Sequence, residues 1–166
     1  QEKKLEREAI DVTEPHKHAP IGTIHPVSLV QDQLLKVFTG MGFDVVEGPE
    51  VELDLFNFEL LNLPKNHPAR DAQDTFYFNE NILLRTHTSS IQVRTMERQK
   101  PPIRVICPGR VFRNEAISYR AHCIFHQVEG LFIDEKVSFA DLKQSILYFA
   151  KEMFGEKARI RMRPSY

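Results

Sequence analysis

The stretch Ile124 to Asp134 (IFHQVEGLFID) constrains the fold more than any other part of the chain. It reads as a strand, and strand side chains alternate between two faces. Ile124, His126, Val128 and Phe132 share one face with Gly130. Phe125, Gln127, Glu129, Leu131 and Ile133 share the other, which is apolar except for Gln127 and Glu129. A carboxylate and an amide inside an apolar stripe require partners, because an unpaired buried charge is costly. An internal arginine would serve, and so would the ammonium group of a ligand.

The elements around this strand favour an α+β domain. Gln1 to Asp11 is charged and helix-prone, and the segment from Val12 to His25 carries Pro15, Pro20, Gly22, His16 and His18, so residues 1–24 read as a helix end and a linker. Residues 25–166 read as a domain. Pro26 suits a first helical turn. Val27, Val30, Leu34, Val37 and Met41 then recur on one helical face, closed by Gly40 and Gly42. Phe43 to Val46 and Val51 to Leu53 read as strand, interrupted by Gly48-Pro49. Leu55 to Leu63 is apolar and predicts a short helix before Pro64, and residues 64–74 predict a loop. Two short strands follow, at Thr75 to Phe78 and Ile82 to Arg85. A helix capped by Thr88 or Ser89 then runs to Gln99 before Pro101-Pro102. Ile103 to Cys107, Val111 to Glu115 and Ala158 to Arg163 read as further strands. Ser138 and Asp141 make a capping box for a helix through Phe139, Leu142, Ile146, Phe149 and Met153, stopped by Gly155. Strands come in runs without regular strand–helix alternation, which favours a mainly antiparallel sheet.

Composition excludes several classes. With 22 Lys plus Arg against 23 Asp plus Glu, the net charge is −1, so no basic coat covers the chain. Cys107 and Cys123 form neither a disulfide framework nor a Cys-x-x-Cys knuckle, which favours a reduced, cytoplasmic setting. No apolar run approaches the roughly 20 residues of a membrane span. The first residue is Gln, which suggests a piece of a longer protein.

Charge is unevenly distributed. Residues 44–59 carry Asp44, Glu47, Glu50, Glu52, Asp54 and Glu59 without a Lys or Arg. Residues 85–113 carry Arg85, Arg94, Arg98, Lys100, Arg104, Arg110 and Arg113 against Glu97 alone. The basic stretch suggests an anionic ligand or partner, or a solvated face. Arg113 and Glu115 share a strand face. An arginine forks onto phosphate, and a glutamate two residues on accepts amine hydrogens, the pair of contacts a nucleotide needs. A plain ion pair is the alternative. No phosphate-binding glycine loop, dinucleotide fingerprint or nucleophile elbow is present. His122-x-x-x-His126 lacks the Glu of zinc proteases, so no metal site is assigned to these residues.

The run Gly109-Arg110-Val111-Phe112-Arg113-Asn114-Glu115, with Phe125-His126-Gln127-Val128-Glu129-Gly130-Leu131, resembles the motif 2 region of bacterial phenylalanyl-tRNA synthetase alpha subunits. Arg85-Thr86-His87-Thr88-Ser89 with Gln92-Val93-Arg94, and His67-Pro68-Ala69-Arg70-Asp71 with Asp74-Thr75-Phe76, are similar to further segments of that family. His25-Pro26 through Gly48-Pro49-Glu50-Val51-Glu52 resembles its motif 1 region. The resemblance spans about residues 20–166, with the motifs in family order.

This resemblance implies the class II synthetase fold, an antiparallel sheet flanked by helices, and an ATP-dependent ligase that joins phenylalanine to tRNA(Phe) through phenylalanyl-adenylate. It implies that Arg113 holds the α-phosphate, as the catalytic residue, and Glu115 the adenine amine. His87 and Ser89 would line the amino-acid site, and Gln127 and Glu129 would bind the ammonium. Family members place four residues between two histidines where His122 and His126 are separated by three, so either His122 or Arg120 is the candidate for the triphosphate. Implied cofactors are ATP and Mg2+, with the magnesium ligands expected beyond Tyr166, together with motif 3 and the last strands. Residues 25–166 would then be a partial catalytic domain, with little activity alone. Implied partners are phenylalanine, ATP, tRNA(Phe) and a beta subunit in a heterotetramer, with the Val27, Val30, Leu34 and Val37 face packed partly against another chain, and no membrane. An interrupted sheet exposes an edge, so self-association is also expected. The alternatives are a non-catalytic synthetase-like module that binds an amino acid or nucleotide, and a class II synthetase for another amino acid.

Overall fold

A computed structural model of the chain describes residues 22–71 and 75–164. The expected helix end and linker lie outside the described residues up to residue 21, His16 and His18 among them. Helix α1 spans Pro26–Gly40. His25 caps it, its ring Nδ1 accepting the Val27 N–H at 3.2 Å. Gly42 turns the chain at a φ of 85°, a conformation open to glycine. The turn delivers strand β1, Asp44–Val45, and then β2, Val51–Leu53.

Two three-stranded sheets form among the described residues. In the first, β5 (Ile103–Phe112) lies between β1 and β6 (Ile124–Ile133). β5 and β6 are antiparallel, from Ile103 opposite Ile133 to Phe112 opposite Ile124, whereas β1 runs parallel to β5 at Val105 and Ile106. In the second sheet β4 (Ile82–Leu84) pairs antiparallel with both β2 and β3 (Tyr77–Asn79). Between β2 and β3 lie α2 (Asp54–Asn57), a 3-10 turn (Glu59–Leu61) and α3 (Pro68–Asp71). Helix α4 (Ser89–Arg98) precedes β5, and α5 (Phe139–Phe154) follows β6.

Several elements differ from the sequence expectations. β5 is one continuous strand, although Pro108-Gly109 suggests a break. The Val46 N–H reaches the Ile106 carbonyl at 2.9 Å, so the backbone groups of even-numbered β5 residues point toward β1. Pro108 has that orientation, and its missing N–H leaves the β6 ladder intact. Ala158 to Arg163 forms no strand, because no described strand pairs with it. The helix expected over Leu55 to Leu63 is split by Phe58, which is fully buried, and by Asn62 at a φ of 63°. The loop at 64–74 contains the single-turn α3, where the Arg70 guanidinium holds the Leu63 carbonyl and Asp54.

The core lies under α4, on the odd-numbered face of β5. Ile91, Ile103, Val105 and Cys107 are buried together, with Val46, Leu131 and Ile133 against them. Each fully buried aliphatic there contributes about 1.5–3 kcal/mol. The other face is aromatic. Phe38 of α1 stacks on Phe149 of α5 at 5.4 Å and meets Phe43 edge-on at 5.5 Å. Arg104 lies 4.7 Å over the rings of both Phe43 and Phe132. The N-terminal half of α1 is open: Val27 is 39% and Val30 53% exposed. With Leu34, Ile124 and Val128 they line an apolar cavity of about 650 Å³. No helix among the described residues is long and apolar enough to cross a membrane.

Candidate active site

Directly opposed residues of an antiparallel ladder point to the same face. Cys107 faces Glu129, Gly109 faces Gln127 and Val111 faces Phe125, so the polar pair on β6 shares its face with the odd-numbered side of β5. This is the face that α4 covers. The helix brings Ser89 and Gln92 onto Glu129: the Ser89 hydroxyl donates to Oε2 at 2.5 Å and Gln92 Nε2 donates to the same oxygen at 3.0 Å. Both bonds go to Oε2. No Lys or Arg among the described residues lies within ion-pair distance of Glu129. The internal arginine that could have satisfied this carboxylate is therefore not its partner. Neighbouring Gln127 buries its Oε1 without a protein partner.

His87 enters from the segment between β4 and α4. It is 9% exposed, edge-on to Phe58, and its Nδ1 has no protein partner. Burial lowers its pKa; Glu129 opposes that shift, Arg113 adds to it, and a hydrogen bond to the Asn57 backbone opposes it. The net direction is down, so the ring is neutral near pH 7. Asn57 also clasps Thr86 both ways, its amide donating to the Thr86 hydroxyl at 3.1 Å and its oxygen accepting the Thr86 N–H at 3.2 Å. Thr88 occupies the cap position of α4, yet its side chain makes no capping bond, and Ser89 turns to Glu129 instead.

Arg113 lies one residue past β5, and its N–H donates to the Cys123 carbonyl at 2.9 Å. The strand expected at Val111 to Glu115 thus ends at Phe112, short of Arg113 and Glu115. Arg113 nevertheless lies 5.0 Å over the Phe125 ring, with Nε buried and unpartnered and Nη1 3.9 Å from Glu115 Oε1. Buried unpartnered polar atoms are uncommon in folded chains. Five of the seven among the described residues belong to His87, Thr88, Ser90, Arg113 and Gln127, and only those of Asp54 and Arg104 lie elsewhere. Glu115, Arg120 and His122 are exposed on the β5–β6 loop. Arg120 lies 5.0 Å over the Tyr119 ring, and His122 Nδ1 accepts the Ile124 N–H at 3.1 Å. The structure thus brings together His87, Ser89, Gln127, Glu129 and Arg113, and leaves Arg120 and His122 on the loop.

Much of the basic stretch is committed within the fold, while Arg98, Lys100 and Arg110 are exposed. Arg94 forks onto Glu52, which is 1% exposed, with Nε–Oε2 at 2.9 Å and Nη2–Oε1 at 2.5 Å. Arg110 forks onto Glu50 at 2.8 and 3.1 Å. Arg104 packs on aromatic rings, and Arg85 is buried among carbonyls. Two ion pairs, Arg94–Glu52 and Arg110–Glu50, thus join the acidic and basic stretches across the fold. Asn57, Gln92 and Arg85 are the supporting residues that spacing alone does not reveal. Their partners lie 25 to 37 residues away, and only the folded chain joins them.

The family model for the tRNA synthetase class II core domain (F) matches residues 9–166, and the chain belongs to that family. Among its relatives, the phenylalanine–tRNA ligase alpha subunit of Flavobacterium psychrophilum is 64% identical over 158 residues, covering 94% of this chain and 46% of the relative. The subunit of the same name from Acetivibrio thermocellus is 58% identical over 163 residues, covering 98% and 48%. The chain thus spans about half the length of the curated relatives it matches. A solved pyrrolysyl-tRNA synthetase from Desulfitobacterium hafniense superposes with a TM-score of 0.62 at 17% identity, over 92% of this chain and 51% of that one, which establishes the shared fold.

Proposed function

We propose that this chain is part of a cytoplasmic phenylalanine–tRNA ligase alpha subunit. It would activate phenylalanine with ATP and pass it to tRNA(Phe) in a heterotetramer with a beta subunit. The observation that carries this reading is Glu129: a carboxylate held only by neutral donors, with Gln127 beside it and Arg113 nearby. That arrangement suits a zwitterion whose ammonium meets Glu129 and Gln127 and whose carboxylate approaches a phosphate held by Arg113. The identity with phenylalanine–tRNA ligase alpha subunits supports the choice of amino acid.

In this reading a phenylalanine carboxylate oxygen attacks the α-phosphorus of ATP. The bond to the bridging oxygen breaks and pyrophosphate leaves with its electron pair. The product is phenylalanyl-adenylate, from which a terminal tRNA hydroxyl later takes the acyl group, releasing AMP. Arg113 offsets charge that builds on the α-phosphoryl oxygens, and its stacking on Phe125 fixes its aim. Ser89 and Gln92 orient Glu129, neutral His87 walls the amino-acid side, and Glu115 accepts the adenine amine. Arg120 and His122, both exposed on the β5–β6 loop, are the candidates for the triphosphate. No group of three or more His, Cys, Asp or Glu that could hold a metal ion occurs among the described residues, and no step is assigned to magnesium. The open apolar face of Val27 and Val30 suits a partner chain.

The test is phenylalanine-dependent ATP–pyrophosphate exchange by the full assembled protein. Arg113→Ala should lower kcat by about 100- to 1,000-fold, the usual cost of removing one charge-stabilising donor. Undiminished exchange would refute the role.

A further inference from the structure

Arg85 opens the Arg85-Thr86-His87-Thr88-Ser89 run, yet no contact with substrate accounts for it. It is 2% exposed and pairs with no carboxylate. Its guanidinium instead donates to three carbonyls: Nε to Arg110 at 2.8 Å, and Nη1 to Gly48 at 3.0 Å and Pro49 at 3.4 Å. Its main chain joins the same segments. The Arg85 N–H donates to the Glu50 carbonyl at 2.9 Å, and its carbonyl accepts the Phe112 N–H at 2.9 Å.

One residue thus ties β4 to the end of β5, where β1 no longer covers the strand. The geometry also explains Gly109. A Cβ there would stand 2.0 Å from Arg85 Nη2 and 2.9 Å from Cζ, so the guanidinium fills the space that any side chain at 109 would need. Two residues after Arg85 comes His87, and one residue after Phe112 comes Arg113. The tie therefore connects the amino-acid wall of the site to its phosphate contact.

We propose that Arg85, seated over Gly109, is a positioning residue that sets the distance between the His87–Ser89 wall and Arg113. The proposal rests on the ligase reading above. Each substrate keeps its own contacts when the tie is cut, but the carboxylate and the α-phosphorus lose their alignment, and alignment governs the rate of the chemical step. A lysine reaches the site with a single ammonium and cannot bridge three carbonyls as a planar fork does.

The test uses the full-length protein with its partner subunit, in three forms: Arg85→Lys, Gly109→Ala and the double variant. Exchange kinetics are measured against phenylalanine and against ATP. Each single variant should lower kcat by about 100-fold, as expected for a misplacement near 1 Å, and leave both KM values nearly unchanged. The double variant should be no worse than the poorer single one, because both changes break one and the same tie. Multiplying losses, or a raised KM at constant kcat, would overturn the proposal. If Gly109→Ala does not assemble, Arg85→Lys decides alone: a kcat loss at constant KM supports the role and an unchanged kcat overturns it. A wild-type protein without exchange would overturn the ligase reading as well, whereas an active wild type with undiminished variants overturns only this one.

Discussion

Replacing Glu129 with glutamine probes the site with almost no change in shape. The carboxylate receives Ser89 Oγ at 2.5 Å and Gln92 Nε2 at 3.0 Å, both on Oε2, so Oε1 is the oxygen left for an ammonium. In Glu129→Gln the amide oxygen still accepts from Ser89 and Gln92. Its NH2 then turns toward the incoming ammonium, donor against donor. A hydrogen bond to a charged group is worth about 1.5–3 kcal/mol. At 1.4 kcal/mol per factor of ten, the expected loss in kcat/KM for phenylalanine is about 10- to 150-fold. The KM for ATP should not move, because no phosphate contact is touched. Stability should hardly change either, since both donors keep an acceptor. Pyrophosphate exchange at varied phenylalanine, with a urea melt as control, reads all three quantities. A loss below about threefold, against the range a charged hydrogen bond predicts, would refute ammonium binding at Glu129. So would an equal loss in ATP affinity.

Two further outcomes follow from the buried charges. Arg94→Ala strands the Glu52 carboxylate at 1% exposure and should destabilise the fold by about 3–5 kcal/mol, read as a lowered urea midpoint; a shift within error would show that Glu52 finds another partner. His87 has a pKa below its ordinary 6.5 in the fold, so the unfolded chain binds more protons in that window. Stability is therefore intact above pH 6.5 and falls as pH drops through it toward the folded value, and His87→Gln should flatten that slope in urea melts, while an unaltered slope would assign the protons elsewhere.

The β6 strand was fully readable because its alternation, with Gln127 and Glu129 on the apolar face, is a local property with a period of two. Helices α1 and α5 were legible in the same way, through Pro26 and through Ser138, whose N–H and hydroxyl donate to Asp141 Oδ2 at 2.8 and 2.6 Å. Pro108 misled because its effect depends on which neighbour its nitrogen faces, and that is set by the Val46 contact. The arginine-rich stretch misled for a related reason. Arg94 and Arg110 reach acids 42 and 60 residues away, and composition cannot tell a cation paired at long range from one awaiting a ligand. Of the site, the residue types on β6 were legible, whereas the neutral character of Glu129's partners was not.

The way β5 ends beyond β1 also bears on how the chain avoids unwanted company. A strand flank with free donors and acceptors is a template on which a foreign strand can grow. Here Pro108 offers no donor on that flank, the Arg110 carbonyl is taken by Arg85 Nε, and the Phe112 N–H is taken by the Arg85 carbonyl. An intruding strand would find three of the hydrogen-bonding positions along that flank missing or occupied. Arg85 and the β5 residues beside it thus act as a gatekeeper against β-aggregation on the flank of β5 that β1 leaves uncovered.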